Sequence, residues 1–220
     1  MENMTLLDFA RGPGLQWALW IFCLGILWRI VGAMYLLSSK DVSKARRKHY
    51  ILDGLRAVMT RSAPAEAFEA NIRFQHISGY AWHLALFVSV LFFAPHILFF
   101  ESMLGFSWPH LPNTIILFSG AVATALLLAL LIRRAVHPVQ RLISTADDYI
   151  SIVAVFLPLV TGIAAFAHVG ARYETLLAIH LLSVELMLIW YPFGKLMHAF
   201  MTFPSRYQSG TFFGHRGVKA

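Results

Sequence analysis

Hydrophobic residues run along this chain in five long stretches, which are separated by segments rich in Lys, Arg, Ser and Pro. The stretches cover residues 15–37, 79–100, 114–132, 149–167 and 176–194. About 20 apolar residues in an α-helix are enough to cross the hydrocarbon core of a bilayer. The pattern therefore predicts an all-α membrane protein, built as a bundle of five transmembrane helices.

The composition agrees with a membrane protein and excludes an ordinary soluble domain. Of the 220 residues, 58% are hydrophobic and only 13% are charged. The single cysteine, Cys23, lies in an apolar stretch, so it offers neither an internal disulfide nor a cysteine-based metal motif. Acidic Glu2 and Asp8 precede the first stretch, which is too long for a signal-peptide core and has no small-residue cleavage site after it. We expect that stretch to remain in the mature chain.

The basic residues predict how the helices are oriented. The net charge is +7. Fifteen Lys and Arg residues fall in the loop 38–78, in the loop after the third stretch and in the C-terminal segment, whereas the opposite side carries only Arg11 and Arg172. Because cytoplasmic loops are enriched in Lys and Arg, the N-terminus is predicted outside and the C-terminus in the cytoplasm. The charge is thus a topology signal and does not indicate binding to nucleic acid.

The chain reads as one integral-membrane domain over residues 1–220. Its cytoplasmic parts are the loop 38–78 and the tail 199–220. The loop has room for a short amphipathic helix, but nothing in it resembles a second folded domain.

Six of the ten histidines lie in or at the ends of the apolar stretches, where an ionisable group is costly and indicates a functional site. The other interpretation is a neutral imidazole that is hydrogen-bonded to a neighbouring helix. These six residues are His76, His83, His96, His168, His180 and His198.

The spacing of these histidines favours two sites at two depths. His180 and His198 are eighteen residues apart, which is five turns of one helix and about 27 Å along its axis. The second stretch runs the opposite way and carries His76, His83 and His96, so its histidines can face that pair. Two axial imidazoles at each of two levels suit a pair of b-type haems, whose iron these histidines would bind, whereas zinc or a carboxylate-bridged metal pair needs more ligands at each level.

Two other features of the stretches can serve either a cofactor or plain packing. Gly79 and Gly162 leave room for a close helix approach or for the edge of a macrocycle. Arg29, in the first stretch, either extends its guanidinium to the membrane surface or pairs with a haem propionate.

Three segments resemble the respiratory nitrate reductase gamma subunit, a dihaem cytochrome b. The segment "IHLLSVELMLIWYPFGKLMH" is similar to the last helix of that family in its histidine spacing and in the "PF" before the second histidine. The segment "LIRRAVHPVQRLISTADDYISI" resembles the passage between the third and fourth helices, where Asp147 or Asp148 would cap the fourth helix. Arg29 follows a tryptophan, as an arginine does in the family.

The resemblance implies a function in a respiratory redox complex. It implies two haem b groups ligated by the second and fifth helices, oxidation of quinol near the outer haem, and electron transfer to a cytoplasmic iron–sulfur or catalytic subunit. Membrane b-cytochromes associated with sulfite reduction, with heterodisulfide-reductase-like complexes and with some hydrogenases share this architecture. The chain would then lie, with several passes, in a bacterial or archaeal cytoplasmic (inner) membrane, and would be an electron-transfer subunit and not a complete enzyme.

The second stretch departs from the nitrate reductase pattern in the spacing of its histidines. The "RFQH" motif favours His76 as the inner ligand, depth in the stretch favours His83, and His96 is the leading outer candidate. All three remain candidates for two ligand positions.

The quinol site departs from that pattern as well. The lysine that nitrate reductase uses after its second helix is missing, and His110 is the nearest polar replacement. His168 is either a quinol-site base or an interfacial residue. Glu185 lies about 140° around the helix from His180, and it either hydrogen-bonds a neighbour or relays quinol protons.

A haem-free protein is the competing interpretation, either a His-rich membrane transporter or a structural anchor. It predicts no absorption by haem in the visible range.

Overall fold

The computed structural model describes residues 4–37, 43–47 and 49–218, and these contain helices and connecting turns but no strand. The predicted all-α class is confirmed. The predicted positions Glu2, Lys40, Lys48 and Lys219 lie outside the described residues.

The first apolar stretch forms a helix whose start differs from its remainder. Helix α1 (Leu6–Phe9) leads into a π-helical turn (Ala10–Gly14), and α2 covers Leu15–Leu37, which are the predicted bounds. Thr5 caps α1, and the Asp8 side chain bonds back to the Thr5 backbone N–H at 3.1 Å. Together, residues Leu6–Leu36 are long and apolar enough to cross a membrane.

The second stretch was predicted to form one continuous helix, but the structure divides it into two. Helix α3 (Tyr50–Thr60) lies in the preceding loop, where a short helix was expected, and α4 then runs from Glu66 to Leu91. Helix α5 (Ala94–Leu104) leaves α4 at an angle of 69°. Pro95 explains the break, because its ring clashes with the carbonyl four residues earlier and it has no N–H to donate.

The third and fourth stretches form long helices close to the predicted bounds. These are α6 (Asn113–Val136) and α8 (Ala146–Ala167), with the short α7 (Pro138–Ile143) between them. Thr145 is the N-cap of α8, and Asp148 accepts its backbone N–H at 2.9 Å. Neither aspartate is the N-cap that was predicted, but Asp148, the third residue of the helix, completes a capping box with Thr145.

The fifth stretch is shorter than predicted. Helix α9 covers Tyr173–Trp190, and a turn and a 3₁₀ segment (Lys195–Met197) precede α10 (His198–His215). The prediction of one helix that carries both His180 and His198 on the same face is therefore wrong. Pro192, which is almost fully buried, lies in the turn, where it cannot continue the helical ladder.

Four helices within the described residues are long and apolar enough to span a membrane, or five if the bent pair α4 and α5 is one span. The chain forms two units, Met1–Phe22 with Phe74–Trp190 and Cys23–Arg73 with Tyr191–Ala220. The single membrane domain over residues 1–220 stays a prediction.

In the second unit, α3 packs along α10. Gly210 on α10 meets Gly54 and Ala57 on α3, and Gly214 meets Asp53, so these small residues let the two backbones approach closely. A Cβ built on Gly210 would lie 2.5 Å from the Ala57 Cβ and 2.6 Å from the Asp53 carbonyl oxygen.

Candidate functional site

The break between α4 and α5 leaves carbonyl groups at the end of α4 that need donors from elsewhere. The Trp108 indole N–H donates to the Leu91 carbonyl, with Nε1 and the oxygen 2.6 Å apart. The Leu111 backbone N–H donates to the Phe92 carbonyl at 3.0 Å. The loop after α5 thus folds back and holds the bend.

His96 completes this arrangement with its own side chain. Its Nδ1 lies 3.0 Å from the Val90 carbonyl oxygen, which can only accept, so Nδ1 carries the proton and Nε2 carries the lone pair. Phe93 packs edge-on against the ring at 5.2 Å between centroids. The bend therefore fixes both the orientation and the tautomer of a half-buried imidazole.

His180 is oriented by hydroxyl groups on α8 and α9. The Thr161 hydroxyl donates to the Leu157 carbonyl at 2.8 Å, so it is positioned to accept the proton of His180 Nδ1, which lies 3.2 Å away. The Ser183 hydroxyl donates to the His180 carbonyl at 2.7 Å, and its Oγ lies 2.9 Å from Oγ1 of Thr161. With Nδ1 donating to Thr161, the lone pair of His180 is on Nε2.

Gly162 gives the His180 ring its place between the helices. A Cβ built on Gly162 would lie 3.0 Å from Cε1 and 3.3 Å from Nδ1 of His180. The sequence predicted that Gly162 leaves room either for a close helix approach or for the edge of a macrocycle. The structure shows close packing of Gly162 against an imidazole. Thr161, its neighbour, was not singled out from the sequence, although a hydroxyl in "LVTGIA" was a usable signal.

The structure places His96 and His180 side by side. Their ring centroids are 6.3 Å apart, and the two ring planes differ by 19°. Two imidazoles held side by side are the donor set that a haem would take from the protein.

Within the described part of the chain, no three His, Cys, Asp or Glu side chains lie together as a set that could hold a bare metal ion. Axial ligation of a haem needs only two such side chains, because the macrocycle supplies the remaining nitrogens.

Each candidate for the second ligand pair has a local contact of its own. His83 lies on α4, and its Nδ1 donates to the Gly79 carbonyl at 2.6 Å. His76 lies earlier on the same helix and packs against Tyr80 at 4.8 Å between ring centroids. His198 is the first residue of α10 in the second unit, where its Nδ1 donates to the Lys195 carbonyl at 2.8 Å. Their roles as ligands stay predictions.

Three other predicted positions are exposed. Arg29 lies on α2, and His110 lies in the loop after α5. His168 ends α8 in the left-handed conformation, with φ at 54°, and its ring stacks on Tyr173 at 5.0 Å. A non-glycine residue in that conformation often marks a functional or strained position.

Glu185 is buried on a different side of α9. Its side chain lies against the π turn, where a Cβ built on Gly14 would be 2.7 Å from Oε2. The residue is only 5% exposed, and Oε1 has no hydrogen-bond partner among the described residues. It is therefore separate from the paired histidines.

No protein-family model matches the chain. A protein of Nitratidesulfovibrio vulgaris strain Hildenborough, named only "Protein", is 29% identical over 207 residues, which cover 92% of this chain and 91% of that protein. The similarity extends over almost the whole length of both proteins. Because the relative's name states no activity, it carries no function to this chain.

Proposed function

We propose that the protein is a dihaem b-type membrane subunit of a respiratory redox complex, of the nitrate reductase gamma type. It exchanges electrons between the quinone pool and a cytoplasmic iron–sulfur or catalytic partner. The observation that supports this most directly is the pairing of His96 and His180 at 6.3 Å, each with Nδ1 engaged by a neighbouring acceptor.

A hydrogen bond at Nδ1 is the usual outer-shell feature of a metal-ligating histidine, because it fixes the tautomer and makes the other nitrogen a stronger ligand. His96 Nδ1 donates this bond to the Val90 carbonyl at the end of α4, and His180 Nδ1 forms it with the Thr161 hydroxyl on α8. When bound, haem supplies one-electron redox chemistry at this place. His96 and His180 would hold it, and the Val90 carbonyl and Thr161 would keep the two imidazoles oriented.

A second haem is part of the proposal, and His198, His76 and His83 are its candidate ligands from the sequence. One electron-tunnelling step does not cross a bilayer core of about 30 Å, so a transmembrane path needs two redox centres. In this proposal, His96 and His180 bind the outer haem. The N-terminus of the chain lies on the same, outer side of the membrane.

The quinol site is proposed at the outer end of α5, α8 and α9. Phe93 contacts both the His96 ring and Phe166, at 5.2 and 5.7 Å between centroids, and His168 follows Phe166 by two residues. This gives an aromatic path between the paired histidines and a candidate base beside Tyr173. His110 and Glu185 are the other candidates for handling quinol protons.

The cytoplasmic partner is proposed to dock on the basic surface of the second unit. Arg46 and Arg56 are exposed there. Arg47 pairs with Asp53, with a closest nitrogen–oxygen distance of 3.2 Å. A basic face accelerates association with an acidic partner.

A reduced-minus-oxidised absorption spectrum of the purified protein in detergent or nanodiscs tests the proposal. We expect a b-type α band, two haems per chain by extraction, and one haem left after His180→Ala. The substitution His110→Ala is the control and should retain both haems. A protein without the band and without extractable haem would favour the transporter or anchor interpretation.

A further inference from the structure

Glu185 is a buried carboxyl that the electron path described above does not use. Four ion pairs form among the described residues, and their carboxylates are Asp53, Glu69, Asp148 and Glu174. Glu185 belongs to none of them, and its Oε1 is buried without a donor. An unpaired carboxylate in apolar surroundings is costly, so a proton is the partner that can neutralise this side chain.

The π turn beside Glu185 has an unusual local structure. Gly12 has non-helical angles of φ −106° and ψ −106°, and Pro13 supplies no N–H. Gly14, which has no side chain, leaves the space that the carboxyl occupies. Isolated π turns inside helices occur frequently at functional sites.

None of the ionisable groups on the elements around Glu185 neutralises the charge of its carboxylate. Helix α9 packs against α1, the π turn and α8. Asp8 lies on α1 and Arg11 in the π turn, while α8 carries Asp147 and Asp148 in its first turn and ends at His168. None of these side chains forms an ion pair or hydrogen bond with Glu185.

Glu185 is close enough to the paired histidines to respond to charge there. It follows His180 by five residues, which is about 7.5 Å along α9, on another side of the helix. At roughly 12 Å and an effective dielectric constant of about 20, one elementary charge changes the proton affinity of a carboxyl on the order of tenfold.

We propose that Glu185 and the π turn Ala10–Gly14 form a proton-exchange site whose occupancy follows the electron at the His96–His180 site. This rests on the proposed function. When an electron from quinol arrives, the Glu185 carboxylate takes up a proton from the water phase and becomes a neutral carboxyl. When the electron leaves for the partner subunit, Glu185 releases that proton, so charge and protons balance over one cycle.

Redox-induced infrared difference spectroscopy on the full-length protein with its haem tests this. We expect the reduced-minus-oxidised spectrum to contain the C=O band of a protonated carboxyl that shifts in D₂O. The band should be lost in Glu185→Gln and kept in Glu174→Gln, a control on the exposed part of the same helix that pairs with Arg172 at 3.8 Å.

A second measurement does not depend on haem. A hydrophobic carbodiimide reacts with protonated carboxyls in apolar sites, so mass spectrometry should find an adduct on Glu185 that Glu185→Gln lacks. Gly14→Ala should decrease this labelling several-fold, because its Cβ would lie 2.7 Å from the unsubstituted position of Oε2.

The two proposals fail in different ways. With a normal haem spectrum, three results would overturn the proton-exchange site and leave the proposed function standing. These are no carboxyl band, a band that persists in Glu185→Gln, or no adduct on Glu185. Absence of haem would overturn both.

Discussion

The His180 imidazole and the Thr161 hydroxyl face each other across α9 and α8, with Nδ1 and Oγ1 3.2 Å apart. Because the hydroxyl already donates to Leu157, it can hold the imidazole in one tautomer. This contact is the side-chain bond that orients His180, so its removal gives a direct test of the site.

Replacing Thr161 with Val should weaken haem binding about 10- to 100-fold, which is the usual cost of losing an outer-shell partner. The remaining haem should have a more positive midpoint potential, because a less basic imidazole stabilises the oxidised iron less. Redox titration with spectroscopic detection measures both effects. Thr124→Val is the matched control, since the Thr124 hydroxyl bonds to the Gly120 carbonyl at 2.7 Å, away from the histidines.

Gly162→Ala should displace the His180 ring. The added Cβ would lie 3.0 Å from Cε1, and crowding of this kind costs about 1–3 kcal/mol in a packed core. We expect lower haem occupancy and a changed low-spin electron paramagnetic resonance signal. Gly120→Ala meets its nearest atom, Ile163 Cγ1, at 3.7 Å and should leave both readouts unchanged. Equal behaviour of the two variants would contradict the packing described for Gly162.

Trp108→Phe keeps the aromatic ring but removes the donor to the Leu91 carbonyl. Loss of a hydrogen bond of this kind costs about 0.5–1.5 kcal/mol. Hydrogen exchange should therefore speed up in α5 and in the loop after it, with a lower thermal midpoint for the protein. Trp17→Phe, at a tryptophan that is 69% exposed, serves as the control.

Gly214→Ala should loosen α10 from α3. The added Cβ would lie 2.7 Å from the Asp53 Cβ and closer still to its carboxylate, which pairs with Arg47. Overpacking costs about 1–3 kcal/mol and outweighs the gain of up to about 1 kcal/mol in helix propensity. Hydrogen exchange in α3 and α10 measures the change. Gly32→Ala, with nothing within 4 Å of its added Cβ, should not alter it.

Between the two candidates for the inner ligand on α4, we expect His83→Ala to remove one haem and His76→Ala to keep both. The reason is the bond of 2.6 Å from His83 Nδ1 to the Gly79 carbonyl, which orients this imidazole as His96 is oriented. Haem content per chain distinguishes them. Loss of haem in His76→Ala alone would reverse the assignment.

The helices could be predicted from the apolar stretches, because a membrane span needs length and apolarity, which are both local properties. The bend at Pro95 was harder to predict, since a proline in a span can either kink the helix or end it. Here the outcome depends on Trp108 and Leu111, which lie beyond the stretch and donate to the freed carbonyls. The end of α9 at Trp190 was missed for a similar reason, because "YPFGK" is apolar enough to read as continued helix.

The candidate site was only partly predictable. Histidines in apolar stretches stand out by their cost, and this led to His96 and His180. The groups that orient them are a backbone carbonyl at Val90 and a hydroxyl at Thr161, and neither residue type is unusual in a membrane helix. Their importance follows from tertiary contacts that a single sequence does not contain.

The connection between α8 and α9 has a practical consequence for protein design. The imidazole, the hydroxyls that orient it and the glycine that makes room for it all fall within residues 161–183, on two consecutive helices. A helical hairpin of this length carries its own supporting contacts. Under the proposed function, the hairpin is half of a haem site, which a designed membrane bundle can adopt by supplying one more histidine from a facing helix.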